Sequence, residues 1–216
     1  MVLELYTNDL SPFAQAVELQ LIMKGVDYKR IVPDRDYVLG EEYGALTPLR
    51  KVPLAILDGQ VITESRVISD LIEELYPTPA LLPASPAARA NVRMLATIAT
   101  LYLATPAVQI FANRRDRNSP DIEADARSLL VRGLASLDHW IASGPYAAGA
   151  ERSVADCVIA PTLFFLDGIM PLLGFGELPG FSDKIRAYLD AVRQDADISA
   201  CLQKMDSTIR SRLAQA

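Results

Sequence analysis

RKVPLAILDGQVITESRVISDLIEELYP, residues 50–77, decides the fold. Leu54 to Leu57 and Gln60 to Ile62 are two short apolar runs around Asp58-Gly59, a dipeptide that readily takes the positive φ of a tight turn, so the stretch reads as an antiparallel hairpin. Ser65 to Tyr76 then carries Val67, Ile68, Leu71, Ile72 and Leu75 at helical spacing and stops against Pro77. Upstream, Val2 to Tyr6 reads as a buried strand. Pro12 to Lys24 reads as a helix with Phe13, Val17 and Leu21 on one face and Gly25 as its stop, and Tyr28 to Val32 as a second strand. A right-handed crossover sets those two strands side by side and parallel. The order is βαβ, a loop with a short helix, then ββα, an α/β unit.

Beyond it the pattern changes. Pro77, Pro79, Pro83 and Pro86, spread among small residues, form a stiff connection that continues neither helix nor sheet. The expected organisation is a first domain at 1–77, a linker at 78–86 and an all-helical domain at 87–216. Its helices are expected near Ala87 to Arg115, Ile122 to Ala142, Val154 to Leu173, Phe181 to Val192 and Ile198 to Leu213.

Composition narrows the function classes. Half of the 216 residues are hydrophobic, enough for a core without metal or disulfide staples. Cys157 and Cys201 are far apart, fit no metal-ligand spacing and read as buried reduced thiols. The net charge of -6 argues against a nucleic-acid partner. Ala96 to Ala107 and Val158 to Leu166 read as too short or interrupted to span a bilayer, and no secretion signal is visible, so a cytoplasmic protein is expected.

Three places in the first domain carry chemistry. Ser11-Pro12 is a helix-starting dipeptide, and Ser11 Oγ at the positive end of that helix is also placed to stabilise a thiolate. Pro53 starts a strand and leaves Val52 extended, with backbone groups free for an extended ligand. Glu64-Ser65 precedes a helix. Ser65 reads as its N-cap, the free N–H groups form an anion site, and Glu64 adds an acceptor for an ammonium, together a seat for the zwitterionic end of an α-amino acid. Each has a purely structural reading as a cap, a turn or a solvated charge.

In this order the three resemble the thioredoxin-like domain of glutathione transferases, over essentially the whole chain: SPFAQAVELQLIMKGVDYKRI looks like that domain's first helix and second strand, and residues 50–77 like its remainder. SPFA is similar to the CPFA of omega-type and the SPF of plant tau-type members, with serine at position 11. Ser153-Val154-Ala155-Asp156 resembles the family's capping box, with Arg152 where an apolar staple residue is usual.

The resemblance implies a serine-type active site using glutathione as co-substrate, without metal. The γ-glutamyl end would meet Glu64 and Ser65, and the cysteinyl backbone would pair with Val52 beside a cis Pro53. The sulfur would face Ser11, and Lys51 or Arg50 would meet the glycine carboxylate. It further implies attack on a small hydrophobic electrophile in a cleft between the domains, with Phe13, Tyr102 and Phe111 as acceptor-site candidates, and a homodimer. Glutaredoxin-like chemistry is not expected without a cysteine at position 11. Tyr6 is the position of the activating tyrosine in other classes, with strand packing as its plainer reading, and Thr7 and Asn8 are lesser candidates. His139 and Trp140 read as core or rim packing. Arg114-Arg115-Asp116-Arg117 and Glu41-Glu42 read as solvated faces. The superfamily also contains noncatalytic regulators, including bacterial partners of RNA polymerase, and ligand carriers, which are the alternative readings.

Overall fold

A computed structural model describes residues 2–116, 119–175 and 180–215, so Arg117 lies outside the described residues. The chain divides into two compact units, Met1–Ala80 and Leu81–Ala216.

The first unit runs β1 (Leu3–Tyr6), α1 (Pro12–Met23), β2 (Lys29–Ile31), α2 (Arg35–Leu39), α3 (Glu41–Leu46), β3 (Leu54–Leu57), β4 (Gln60–Thr63) and α4 (Ser65–Leu75). The sheet order is β2-β1-β3-β4, with β1 parallel to β2 and antiparallel to β3. The expected hairpin forms, and Asp58 and Gly59 take φ of 47° and 89° at its turn. Leu3 and Leu5 point to one face and pack with Val17, Leu21, Ala55, Ile68 and Ile72, burying a core between the sheet and helices α1 and α4. By the same alternation Tyr6 points to the other face, where its ring meets Tyr43 of α3. Val67, expected to face inward, is 54% exposed, because the helical period that buries Ile68 and Ile72 turns it outward. The side chain of Lys24, with 0% of its surface exposed, reaches across to Glu73 at 2.9 Å and to the carbonyls of Tyr76 and Pro79 at 2.7 Å each. It thereby satisfies the carbonyl of Tyr76, the C-cap of α4, which the helix cannot satisfy itself, and that of Pro79 in the chain beyond.

The second unit comprises α5 (Pro86–Ile98), α6 (Thr105–Asp116), α7 (Pro120–Trp140), α8 (Val154–Phe164), α9 (Asp183–Val192) and α10 (Ala196–Ala214). A π-helical segment, Ala99–Ala104, joins α5 to α6 without a break, and Phe165–Ile169 extends α8 in the same way. These joints make Pro86–Asp116 and Val154–Leu173 long and apolar enough to cross a membrane by length and composition, contrary to the shorter runs expected. Half and two-thirds of their apolar windows are buried within the protein. Gly133 of α7 lies directly under this joint; a Cβ there would sit 2.4 Å from the Tyr102 carbonyl oxygen.

The capping box forms. Asp156 accepts from Ser153 N at 2.8 Å and Ser153 Oγ at 3.0 Å, and from Ala147 N at 2.7 Å and the Tyr188 hydroxyl at 3.2 Å. Arg152, in place of an apolar staple, pairs with Asp197 at 2.9 Å. Both cysteines are buried, and neither is in a disulfide.

One surface reading is corrected. Arg114 is no simple solvated charge: it holds Glu123 through two nitrogens at 2.6 and 2.8 Å, donates to the Gly174 carbonyl and stacks on Phe175. His139 and Trp140, read as core or rim packing, lie exposed at the end of α7, with their rings edge to face at 4.7 Å.

Candidate functional site

Strand register decides which loops become neighbours. Tyr6 pairs with Leu54 and Leu54 with Thr63, so the end of β1, the start of β3 and the end of β4 lie abreast at one end of the sheet. The chain leaves β1 through Thr7–Leu10 to Ser11, enters β3 from Val52-Pro53, and leaves β4 into Glu64-Ser65. The three sequence-selected places are thus gathered at a single sheet end.

Ser11 caps α1. It is extended at φ -90° and ψ 114°, and its Oγ accepts from Ala14 N at 3.3 Å, with Pro12 opening the helix. That bond uses an oxygen lone pair and leaves the hydroxyl proton as a donor, so capping and hydrogen bonding to a thiolate are compatible in one side chain. The preceding turn is tied down from below. Buried Glu18 accepts from Thr7 Oγ1 at 2.8 Å, Gln15 Nε2 at 2.7 Å, Tyr28 Oη at 3.0 Å and Arg30 Nε. Gln15 also reaches the Asn8 carbonyl at 3.2 Å, and Arg30 pairs with Asp9. Thr7 is fully buried and engaged with Glu18, and Asn8 Oδ1 accepts from Leu10 N at 2.9 Å, so both residues organise the turn.

The Val52-Pro53 bond is cis, as is Thr78-Pro79. Among the described residues, none pairs with the N–H or C=O of Val52. Of the two basic residues before it, Arg50 is committed locally. Its guanidinium donates to the Leu39 carbonyl and packs so closely on Gly44 that a Cβ there would lie 2.6 Å from it. Lys51 is exposed, and its carbonyl accepts from the Tyr43 hydroxyl at 2.8 Å.

At the third place the expected cap shifts by one residue. Glu64, not Ser65, is the N-cap of α4, and it makes no side-chain cap bond; Ser65 is the first helical residue. Glu64 stands at φ 69° and ψ 114°, a conformation costly for any residue with a Cβ and concentrated at ligand-holding sites. The helix N-terminus beside it presents uncapped N–H groups and the positive end of its dipole.

Tyr6 packs against Tyr43 with ring centroids 5.7 Å apart, and Tyr37 approaches Tyr43 at the same distance. Burial, with Tyr6 and Tyr37 nearby, pushes the Tyr43 hydroxyl up to about 12, so it remains a protonated donor at neutral pH. Sequence reasoning missed Tyr43, Glu18 and Arg30, because each acts through a partner distant in sequence.

Of the acceptor-site candidates, Phe13 is half-buried in the first turn of α1. Tyr102 lies in the π-helical joint at 42% exposure, and Phe111 packs on Phe175 at 5.9 Å.

A mixed four-stranded sheet with a cis proline at the same sheet end as two helix starts, followed by an all-helical unit, defines the glutathione transferase fold. The family models for the glutathione S-transferase N-terminal and C-terminal domains match residues 5–80 and 87–191. A glutathione S-transferase of Pseudomonas putida is 32% identical over 159 residues, covering 72% of this chain and 70% of that protein. Rat maleylacetoacetate isomerase is 29% identical over 163 residues, covering 73% and 74%. A stringent starvation protein A homolog of Coxiella burnetii is 26% identical over 209 residues, covering 97% and 95%. Among solved structures, the holo form of a bacterial zeta-class maleyl pyruvate isomerase has a TM-score of 0.75 at 25% identity, covering 92% of this chain and 95% of that one. The chain belongs to the glutathione S-transferase family.

Proposed function

We propose that the first unit binds glutathione and that Ser11 stabilises its thiolate for attack on an electrophilic carbon. The γ-glutamyl carboxylate lies at the N-terminus of α4 by Ser65, its ammonium meets Glu64, the cysteinyl backbone pairs with Val52 beside Pro53, and Lys51 meets the glycine carboxylate. The observation that carries this reading is the register that brings Ser11, Val52-Pro53 and Glu64-Ser65 to one sheet end, with the backbone of Val52 unpaired among the described residues.

A free thiol near pKa 8.5 is only a few per cent ionised at pH 7, and lowering it by two units is worth about 2.7 kcal/mol. The Ser11 hydroxyl supplies a donor and the α1 dipole a positive potential. The thiol proton leaves to solvent. In a transfer, sulfur forms a bond to carbon while the leaving group departs with its electron pair. In an isomerisation, sulfur adds to one carbon of a conjugated double bond, the remaining single bond rotates, and the thiolate is expelled. The isomerases among the relatives favour testing this second outcome alongside the first.

The test compares wild type with Ser11→Ala in glutathione-dependent turnover of an activated aryl halide and of a cis-configured unsaturated keto acid. A two-unit pKa difference predicts a roughly 25-fold slower variant at pH 7, the ratio of thiolate fractions. Equal turnover by both proteins refutes the role of Ser11. Binding of glutathione with no turnover of either acceptor favours a noncatalytic carrier or regulator.

A further inference from the structure

We infer that Tyr43 is a positioning residue for the glutathione backbone: by holding the Lys51 carbonyl it fixes the peptide plane that presents the N–H of Val52. This rests on the proposed glutathione site. The Lys51 carbonyl and the Val52 N–H belong to one peptide group. That group is trans, since the cis bonds among the described residues are Val52-Pro53 and Thr78-Pro79, so its C=O and N–H point in opposite directions. The Tyr43 hydroxyl donates to that carbonyl at 2.8 Å from a side chain with 0% of its surface exposed. Anchoring the carbonyl inward therefore turns the Val52 N–H outward.

The anchor is itself rigid. Tyr43 sits in α3, and its ring packs against those of Tyr6 and Tyr37. Among the described residues nothing takes the Val52 N–H, which leaves it for an extended ligand. A free peptide edge that rocks about its neighbouring dihedrals would have to be ordered at each binding event, and pre-ordering removes that cost. The expected consequence concerns affinity and not the thiol, because Tyr43 braces the loop before β3 and Ser11 belongs to a separately braced turn.

The experiment is a glutathione titration followed by thiolate ultraviolet absorbance in wild type, Tyr43→Phe and Tyr37→Phe. The half-saturating concentration and the pH midpoint of the saturated complex are read separately. Loss of one buried donor predicts about a fivefold to tenfold higher half-saturation for Tyr43→Phe, with an unchanged pH midpoint. Tyr37→Phe should match wild type in both. Melting temperatures are taken in parallel, since a merely structural hydroxyl lowers the melting temperature without moving half-saturation well below it. Half-saturation within twofold of wild type overturns the inference, as does a joint shift of half-saturation and pH midpoint. A wild type that fails to bind glutathione overturns both the inference and the site on which it rests, whereas a binding wild type with an unaffected variant overturns the inference alone.

Discussion

Replacing Lys24 with methionine tests how the first unit is held together. The ammonium is fully buried and meets three acceptors: Glu73 at 2.9 Å and the carbonyls of Tyr76 and Pro79 at 2.7 Å each. Methionine keeps most of the side-chain volume and removes the charge. The Glu73 side chain, only 8% exposed, then becomes a buried carboxylate that keeps its bond from Gln20 but loses its cation. Breaking one side of a buried pair typically costs about 3–5 kcal/mol, and the two carbonyls left short of a donor add to this where water cannot reach them. A loss of about 3–5 kcal/mol is a large share of a typical folding stability of about 5–15 kcal/mol. The assay is urea unfolding followed by far-ultraviolet circular dichroism, with hydrogen exchange of the α4 amides. The lone tryptophan, Trp140, belongs to the second unit and reports on the wrong one. Adding Glu73→Gln should restore at least about 1 kcal/mol, because the stranded charge is then gone. A loss below about 1 kcal/mol for Lys24→Met, or no rescue in the double variant, refutes the reasoning.

Glu64→Gly should relieve the positive φ and raise stability by about 1 kcal/mol in chemical unfolding, while weakening glutathione binding in calorimetry through loss of the carboxylate. Gly133→Ala should destabilise the second unit by about 1–3 kcal/mol in thermal unfolding, since the new Cβ would lie 2.4 Å from the Tyr102 carbonyl oxygen. Glu123 is held down to about 2, from an ordinary 4.5, chiefly by its hydrogen bonds to Arg114 and also by Arg127. A depressed carboxylate stabilises the fold above its unfolded value, so this contribution is complete above pH 4.5 and disappears as the pH falls toward 2. Glu123→Gln should flatten that part of the stability curve, and an unaltered acid limb would contradict it.

Local chemistry made much of the first unit and one helix start of the second legible. The Asp58-Gly59 turn, the Ser11-Pro12 helix start and the Ser153–Asp156 capping box are short-range signals whose residues interact with near neighbours in sequence. The π-helical joint at Ala99–Ala104 was not legible, because it carries no turn or breaker residue that marks the switch from i→i+4 to i→i+5 bonding. Serine favours the cap position, which points to Ser65. Glu64 occupies it instead, in a conformation its own side chain disfavours, a conflict between local preference and structure that marks functional positions. Lys24, Glu18 and Arg30 escaped notice for a different reason. In sequence they are ordinary charges on a helix and an edge strand, and only the crossover and the α1–α4 packing reveal their buried partners. Arg114 was misread in the same way, since Glu123 and Gly174 reach it only once α6, α7 and the chain after α8 have come together.

The role of Ser11 and of the α1 dipole stands or falls on whether this site ionises a thiol. The most direct measurement is the pH titration of thiolate absorbance for glutathione saturating the wild-type protein, beside the same titration of Ser11→Ala. A midpoint about two units below that of free glutathione, returning toward the free value in the variant while binding persists, is the predicted result. A wild-type complex that titrates like free glutathione would contradict it.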